Sequence, residues 1–185
     1  KVKKVVATIF AEVKAEYKHS DPSTELDFVQ DAPAKEYIED KVTLNLIDAL
    51  LACPNGVIRM SDTMEGLIET STNLAIIRCE KGHILVHSLM RSAVDSAKAF
   101  LAEQMRAVFG LAGAKFSTSG GYNGWTPKPE TPVYEVVKRV WKEHTGKELK
   151  VTATHGGLEC ALLGAKYPNW EMVSIGPDII YPHSP

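Results

Sequence analysis

The sequence lacks a long apolar run, a block of like charges and a paired-cysteine motif. No apolar stretch approaches the roughly 20 residues that a membrane-spanning helix requires. The 21 basic and 23 acidic residues give a net charge of −2 and are spread along the chain, which favours neither a nucleic-acid partner nor a membrane partner. The three cysteines lack the CxxC spacing of a zinc or redox motif. These absences favour a cytoplasmic protein with reduced thiols and a small polar partner.

The composition is that of an ordinary globular protein. Hydrophobic residues make up 44% of the 185 and charged residues 24%, which is enough to build one sizeable core or two modest ones. The chain opens without methionine, directly in a helical pattern, and stops shortly after an apolar segment, at Pro182-His183-Ser184-Pro185. We therefore expect it to be a piece of a longer protein.

The first two thirds of the chain have the pattern of an α+β fold. The predicted elements are a helix up to residue 17, a strand at 26–29, a helix at 36–52, strands at 66–78 and 83–90, a helix from Ser92 to Gly110 and a strand at 114–118. The polar turn Glu80-Lys81-Gly82 indicates that the two long strands form a hairpin, and Ser92 with Asp95 forms a capping-box-like helix start. We predict an antiparallel sheet with helices on one face over residues 1–121.

The last third has a different pattern. Residues 119–129 concentrate glycine, proline and asparagine and are interpreted as an interdomain linker. Thr131 and Pro132 then predict a helix start, followed by a strand at 149–153, a helix through Leu162 and a strand at 172–175. This α-β-α-β order is typical of the last portion of a three-layer α/β domain, here residues 122–185.

Three residues between the predicted strand and helix are candidates for ligand binding. Gly156 and Gly157 let a ligand approach the backbone closely, next to a helix N-terminus that favours anions. The same pair also suits a tight turn without a ligand. Glu159 fits either a partner of the helix dipole or a group that faces the ligand, and the spacing leaves both interpretations open.

Two further candidates are His183 and Arg91. His183 lies between prolines, which restrict the backbone and suit a fixed imidazole. A lone histidine is more often structural, and a zinc site needs at least three protein ligands. Arg91 follows a β-rich run and precedes a helix start, so its guanidinium can bind a carboxylate bidentately or form a surface salt bridge.

Four segments together resemble the aminoacylhistidine dipeptidases, also called Xaa-His dipeptidases or bacterial carnosinases. The segments are residues 69–75 (ETSTNLA), 87–92 (HSLMRS), 154–160 (THGGLEC) and 176–185 (GPDIIYPHSP). These enzymes belong to the dizinc metallopeptidases, which include carnosinase, aminoacylase and glutamate carboxypeptidase. The resemblance covers nearly the whole chain.

The resemblance implies a place and a role for each candidate. Residues 1–121 would form the second half of a lid and dimerisation domain, and residues 122–185 the C-terminal segment of a zinc-exopeptidase domain. His183 would bind one of two zinc ions, and Arg91 would hold the terminal carboxylate of a dipeptide substrate such as carnosine. Gly156, Gly157 and Glu159 would line the substrate site, and the complete enzyme would be a homodimer.

The resemblance also implies that the catalytic machinery lies elsewhere. In this family a metal-bridging water, deprotonated by a glutamate, attacks the peptide carbonyl. The HxD segment, the bridging aspartate and the paired glutamates lie upstream, and no part of this chain matches them. We therefore expect no catalytic residue here and no hydrolysis by the chain alone. The alternatives are an aminoacylase or another dipeptidase of the family, or a non-catalytic dimerisation module.

Overall fold

The computed structural model describes residues 1–29, 31–34, 36–126, 128, 130–149 and 159–176. Its elements are α1 (Val2–Glu16), α2 (Asp40–Ala52), β1 (Gly56–Met60), β2 (Ile68–Glu80), β3 (His83–Ser92), α3 (Asp95–Leu111), α4 (Pro132–Thr145) and α5 (Glu159–Lys166). The chain divides into two units, Lys1–Glu39 and Asp40–Pro185. None of the helices in these ranges is long and apolar enough to cross a membrane.

The first unit consists of α1 and an irregular segment. The predicted opening helix is confirmed, and it ends where the Tyr17 N–H donates to the Val13 carbonyl at 3.0 Å. The strand predicted at 26–29 is wrong, because these residues are exposed and pair with no other described strand. An apolar run becomes a strand only where a second strand accepts its backbone hydrogen bonds.

The second unit contains a three-stranded antiparallel sheet in the order β1-β2-β3. The predicted hairpin is confirmed, with β2 and β3 paired from Thr70↔Ser92 to Glu80↔His83. Lys81 and Gly82 both have positive φ, 49° and 74°, as a tight two-residue hairpin turn requires.

Strand β1 was not predicted. Its five residues are all exposed, so it carries no alternation of buried and exposed positions. The helix-breaking sequence Pro54-Asn55-Gly56 lies where α2 gives way to this strand. In the structure, the Asn55 Oδ1 atom also accepts the Leu74 N–H at 2.9 Å, and this bond ties the start of β1 to β2.

Two helices cover one face of the sheet. Along β3, the residues from Ile84 to Ser92 alternate strictly between partly buried and exposed positions. The buried core consists of Ala49 of α2, Cys53 directly after that helix, and Met105 and Phe109 of α3. These residues pack with inward-facing residues that include Met90 of β3. The predicted arrangement of helices on one face of an antiparallel sheet is therefore confirmed.

Several predicted boundaries change. The second helix begins at Asp40 rather than at residue 36. The strands predicted at 114–118 and 172–175 are wrong, because neither segment pairs with a strand of the described chain. The strand predicted at 149–153 lies, apart from residue 149, outside the described residues.

The helix starts also differ from the predictions in detail. Helix α3 begins after Val94, which has no side-chain cap, so the predicted capping box does not form. The Ser92 hydroxyl instead accepts the Val94 N–H at 3.1 Å. In α4, Pro132 occupies the first turn as predicted, but the Thr131 side chain makes no capping hydrogen bond. Helix α4 ends before Gly146, whose φ of 68° is the left-handed conformation that glycine favours at a helix C-terminus.

The C-terminal part supplies α4 and α5, which were both predicted as helices. The described residues between 119 and 129 form neither helix nor strand. The division of the chain into domains of residues 1–121 and 122–185 stays a prediction.

Candidate functional site

Arg91 lies one residue before the end of β3, on the sheet face opposite the helices. It pairs in register with Ser71 of β2, and its side chain is exposed. The guanidinium forms no ion pair with any described residue, so the surface salt bridge considered from the sequence is not found in the described part of the chain. An arginine without a carboxylate partner keeps its planar donor face available for a ligand.

The backbone that follows Arg91 is held by hydrogen bonds to β2. The Thr70 and Ser92 hydroxyls lie 2.8 Å apart, and the Ala93 N–H donates to the Glu69 carbonyl at 3.0 Å. Thr70 is fully buried, so these polar groups are shielded from competition with water. The turn from β3 into α3, residues 92–95, is called the corner below.

A buried carboxylate extends this network to β1. Glu69 is only 7% exposed and is paired with the Arg59 guanidinium. Its Oε1 atom also accepts the Thr70 hydroxyl at 3.2 Å. A buried charge without a partner costs several kcal/mol, so the Arg59–Glu69 ion pair is needed to keep the Glu69 carboxylate buried. The pair joins β1 to β2, and the Thr70 hydroxyl connects it to Ser92 at the end of β3.

Asp95, at the first position of α3, binds a distant part of the chain. Its Oδ1 atom accepts the Gly124 N–H at 2.9 Å, and its Oδ2 atom accepts the Asn123 side-chain amide at 2.9 Å. Lys98, one turn along α3, donates to Asp95 Oδ1 at 2.9 Å and also to the Tyr122 carbonyl. Residues 122–126, called the docked segment below, are thus bound to the start of α3.

The electrostatics of Asp95 agree with this geometry. The Gly124 N–H, followed by the hydrogen bond from Lys98, lowers the pKa of the Asp95 carboxyl below its usual value, against a smaller opposing effect of burial. Hydrogen bonds to the charged form stabilise the carboxylate over the neutral acid. The docked segment is therefore held by an ionised Asp95 at neutral pH.

The docked segment also contacts the backbone of the corner directly. A Cβ atom added to Gly124 would lie 2.8 Å from the Ser92 carbonyl oxygen and 2.5 Å from the carbonyl carbon of Ala93. The Thr126 hydroxyl donates to the Ala93 carbonyl at 3.1 Å. Only glycine allows so close an approach between two backbones.

A cavity of about 240 Å³ lies beside the docked segment. Its walls include Asp95, Trp125, Thr131, Ala161 of α5 and Trp170. Neither Arg91 nor Glu159 lines it. The cavity therefore does not bring together Arg91 and Glu159, the two candidates among the described residues.

The remaining candidates are placed only in part. Glu159 is the first residue of α5 and is exposed, so its first-turn position is confirmed while its role stays a prediction. Gly156, Gly157 and His183 lie outside the described residues. No contact found in the structure joins Glu159 to Arg91.

The described residues do not form a metal centre by themselves. In the ranges that the structure covers, no three side chains of His, Cys, Asp or Glu lie close enough together to bind a metal ion. The implied zinc ligand His183 falls outside those ranges.

The contact between Asp95 and the docked segment was not predicted from the sequence. Asp95 was interpreted as half of a capping box, and residues 119–129 as a linker. The sequence does contain the signal of an acidic helix start and a glycine-rich segment. However, a hydrogen bond between residues 95 and 124 has no local periodicity from which it could be predicted.

Comparison with known proteins places the chain beside two dipeptidases. It is 40% identical, over 139 residues, to the cytosol non-specific dipeptidase of Escherichia coli (strain K12), which is 75% of this chain and 29% of that protein. It superposes with a TM-score of 0.84 on the crystal structure of aminoacylhistidine dipeptidase from Vibrio alginolyticus, at 33% identity, covering 99% of this chain and 37% of that one. No family model matches. The chain thus spans about a third of the length of these two relatives.

Proposed function

The chain is homologous to a part of the aminoacylhistidine dipeptidases, and on this premise we propose that it forms part of a zinc-dependent dipeptidase. The similarity to the Vibrio alginolyticus structure over 99% of the chain carries the proposal. The fold class expected from the sequence agrees with that similarity. In the proposed enzyme, residues 1–121 form the second half of the lid and residues 122–185 the end of the catalytic domain.

The proposed substrate is a dipeptide with a free C-terminal carboxylate. Arg91 binds this carboxylate through two parallel N–H···O bonds, which fix its orientation as well as its position. The exposed guanidinium, without an ion-pair partner in the described chain, supports this role. Gly156, Gly157 and Glu159 line the substrate site, and the peptide bond is thereby held for attack.

The proposed metal centre is completed by residues outside this chain. His183 would hold one of two zinc ions, and such a pair would supply Lewis-acid chemistry for hydrolysis of the peptide bond. The general base and the remaining ligands are expected in the longer enzyme. Consequently, the 185-residue chain alone is expected to bind zinc weakly and to hydrolyse nothing.

The surface of α4 supports the proposal that this part packs against further protein. None of its residues is buried. Val136, Val140 and Trp141 lie at helical spacing, and their exposed fractions are 47%, 43% and 42%. An apolar stripe on an otherwise polar helix normally packs against a neighbouring element. In the longer enzyme, the rest of the catalytic domain would cover it.

The proposed assembly is a cytoplasmic homodimer that forms through the lid. The exposed Val57, Leu85 and Leu89 lie on the sheet face opposite the helices, and the outer edge of β3 pairs with no other strand of the described residues; both features support a contact surface in the lid. The similarity to the Escherichia coli relative, a cytosol dipeptidase, supports the proposed compartment.

The two relatives differ in their named specificity, and this favours a second candidate. One is called an aminoacylhistidine dipeptidase and the other a non-specific dipeptidase. Rates of the complete enzyme on β-alanyl-histidine, on other dipeptides and on N-acyl amino acids separate Xaa-His specificity from the broader alternatives. A gene without the HxD and paired-glutamate segments would instead indicate a non-catalytic dimerisation module.

The test of the proposed site is an Arg91→Ala substitution in the complete enzyme. Loss of a bidentate contact to a charged group costs about 1.5–3 kcal/mol, so kcat/KM for a dipeptide should fall about 10- to 100-fold. Arg91→Lys should recover only part of the loss, because an ammonium cannot form the fork.

The matched controls use a second arginine and a second substrate. Arg78 is also exposed on the same sheet face, opposite Leu85, and Arg78→Ala should leave kcat/KM unchanged. A dipeptide amide, which lacks the terminal carboxylate, should react equally with wild type and Arg91→Ala. If Arg91→Ala lowers the rate as much on the amide as on the dipeptide, Arg91 does not bind the carboxylate.

A further inference from the structure

We propose that Asp95 is a positioning residue for Arg91. It binds the docked segment, residues 122–126, to the corner after β3 and thereby fixes the end of the strand that carries the guanidinium. This inference rests on the proposed function, since Arg91 has a substrate to position only in a dipeptidase.

The first step is the attachment of the docked segment to Asp95. The carboxylate accepts hydrogen bonds from both Gly124 and Asn123 at 2.9 Å. Lys98 bridges the carboxylate and the Tyr122 carbonyl. Three consecutive residues of the segment are thus bound through one side chain and its helix neighbour.

The second step is the contact between the segment and the corner. Gly124 lies directly against the carbonyl groups of Ser92 and Ala93, and the Thr126 hydroxyl donates to the Ala93 carbonyl. Ser92 is the residue that follows Arg91. Movement of the docked segment would therefore remove contacts from the backbone of Ser92, the residue next to Arg91.

The third step is that the corner is held from both sides. The Ala93 N–H donates to the Glu69 carbonyl, and the Ser92 hydroxyl lies against Thr70. These contacts fix the inner side of the corner to β2, while the docked segment covers its other side. Arg91 is one of the exposed side chains of β3. Its position then depends on the corner, which β2 holds on one side and the docked segment holds on the other.

Amide exchange in the 185-residue chain tests the docking. Asp95→Ala should raise exchange at Gly124 and at Ala93 by about tenfold, the factor that corresponds to ~1.4 kcal/mol. The control is Glu103→Ala, which removes the other i,i+3 ion pair of α3, with Arg106, without touching the segment. That variant should exchange like wild type at both amides.

A second variant separates docking from helix stability. Thr126→Val removes the hydroxyl that binds Ala93 and leaves the Asp95–Lys98 pair of α3 intact. It should also raise exchange at Ala93, though less than Asp95→Ala does. If Asp95→Ala fails to fold, Thr126→Val decides the question alone.

Kinetics in the complete dipeptidase test the positioning. Asp95→Ala should raise KM for a dipeptide about tenfold with a smaller change in kcat, and should leave the reaction of the dipeptide amide unchanged, because no carboxylate then binds Arg91. Wild-type exchange at Gly124 or Ala93 in Asp95→Ala, or an unchanged KM in that variant, overturns the inference. An enzyme that cleaves no dipeptide overturns the proposed function instead, and the exchange rates still decide the docking.

Discussion

Replacing Gly124 with alanine is a direct test of how closely the docked segment approaches the corner. The φ angle of Gly124 is not in the left-handed region, so alanine adopts this backbone without strain. The obstacle is space, because the new methyl group would lie 2.5 Å from the Ala93 carbonyl carbon and 2.8 Å from the Ser92 oxygen. Both neighbours are backbone atoms that cannot rotate away.

The expected cost follows from the overlap. Carbon atoms in contact are normally separated by about 3.5–4.0 Å, so one of the two backbones must move by roughly 1 Å. If the segment stays docked, the overpacking costs about 1–3 kcal/mol. If it moves away, the Gly124–Asp95 and Thr126–Ala93 hydrogen bonds are lost at about 0.5–1.5 kcal/mol each. Both routes predict a free energy of unfolding lower by about 1–3 kcal/mol.

Gly121 provides the matched control for this test. It lies three residues away, outside helices and strands, and a Cβ atom there would meet nothing within 4 Å. At a compatible backbone conformation, Gly→Ala stabilises a protein by about 0.4–1 kcal/mol through the unfolded state.

Urea unfolding, followed by circular dichroism, measures the difference between the two variants. Gly124→Ala should shift the midpoint down and Gly121→Ala should leave it level or shift it up. Equal midpoints would refute the close approach, and with it the docking of the segment on the corner.

Two further predictions concern the core and acid pH. Leu101 is 1% exposed, so Leu101→Ala should lower the free energy of unfolding by about 2–5 kcal/mol. Phe100 is 66% exposed, and Phe100→Ala should change the free energy of unfolding by less than about 0.5 kcal/mol. Similar losses in both variants would contradict the assigned faces of α3. Because the Gly124 N–H lowers the pKa of Asp95, docking should be complete above the usual carboxyl pKa and lost as pH falls through the lowered value. The amide chemical shift of Gly124 follows this titration, and a shift that does not titrate in acid would contradict it.

The hairpin and the helices could be predicted because their signals are local. Alternating residues in β3 and apolar residues at helical spacing in α3 place one face of each element against the core. The turn at Lys81-Gly82 and the helix end at Gly146 follow from the positive φ that glycine favours.

The errors came from segments whose structure depends on a distant partner. Residues 114–118 have a strand-like composition, but the described chain gives them no neighbouring strand. Strand β1 was missed for the opposite reason, since its exposed residues have no pattern and only the pairing with β2 makes it a strand.

For the candidate site, the sequence by itself determined the residue types and their local positions: Arg91 before a helix start and Glu159 in the first turn of a helix. Only the tertiary structure decided that Arg91 has no carboxylate partner in the described chain and that Asp95 binds Gly124, 29 residues further along. The physical reason is that periodicity records which side of an element is buried, whereas a hydrogen bond between distant residues depends on how the chain folds back between them.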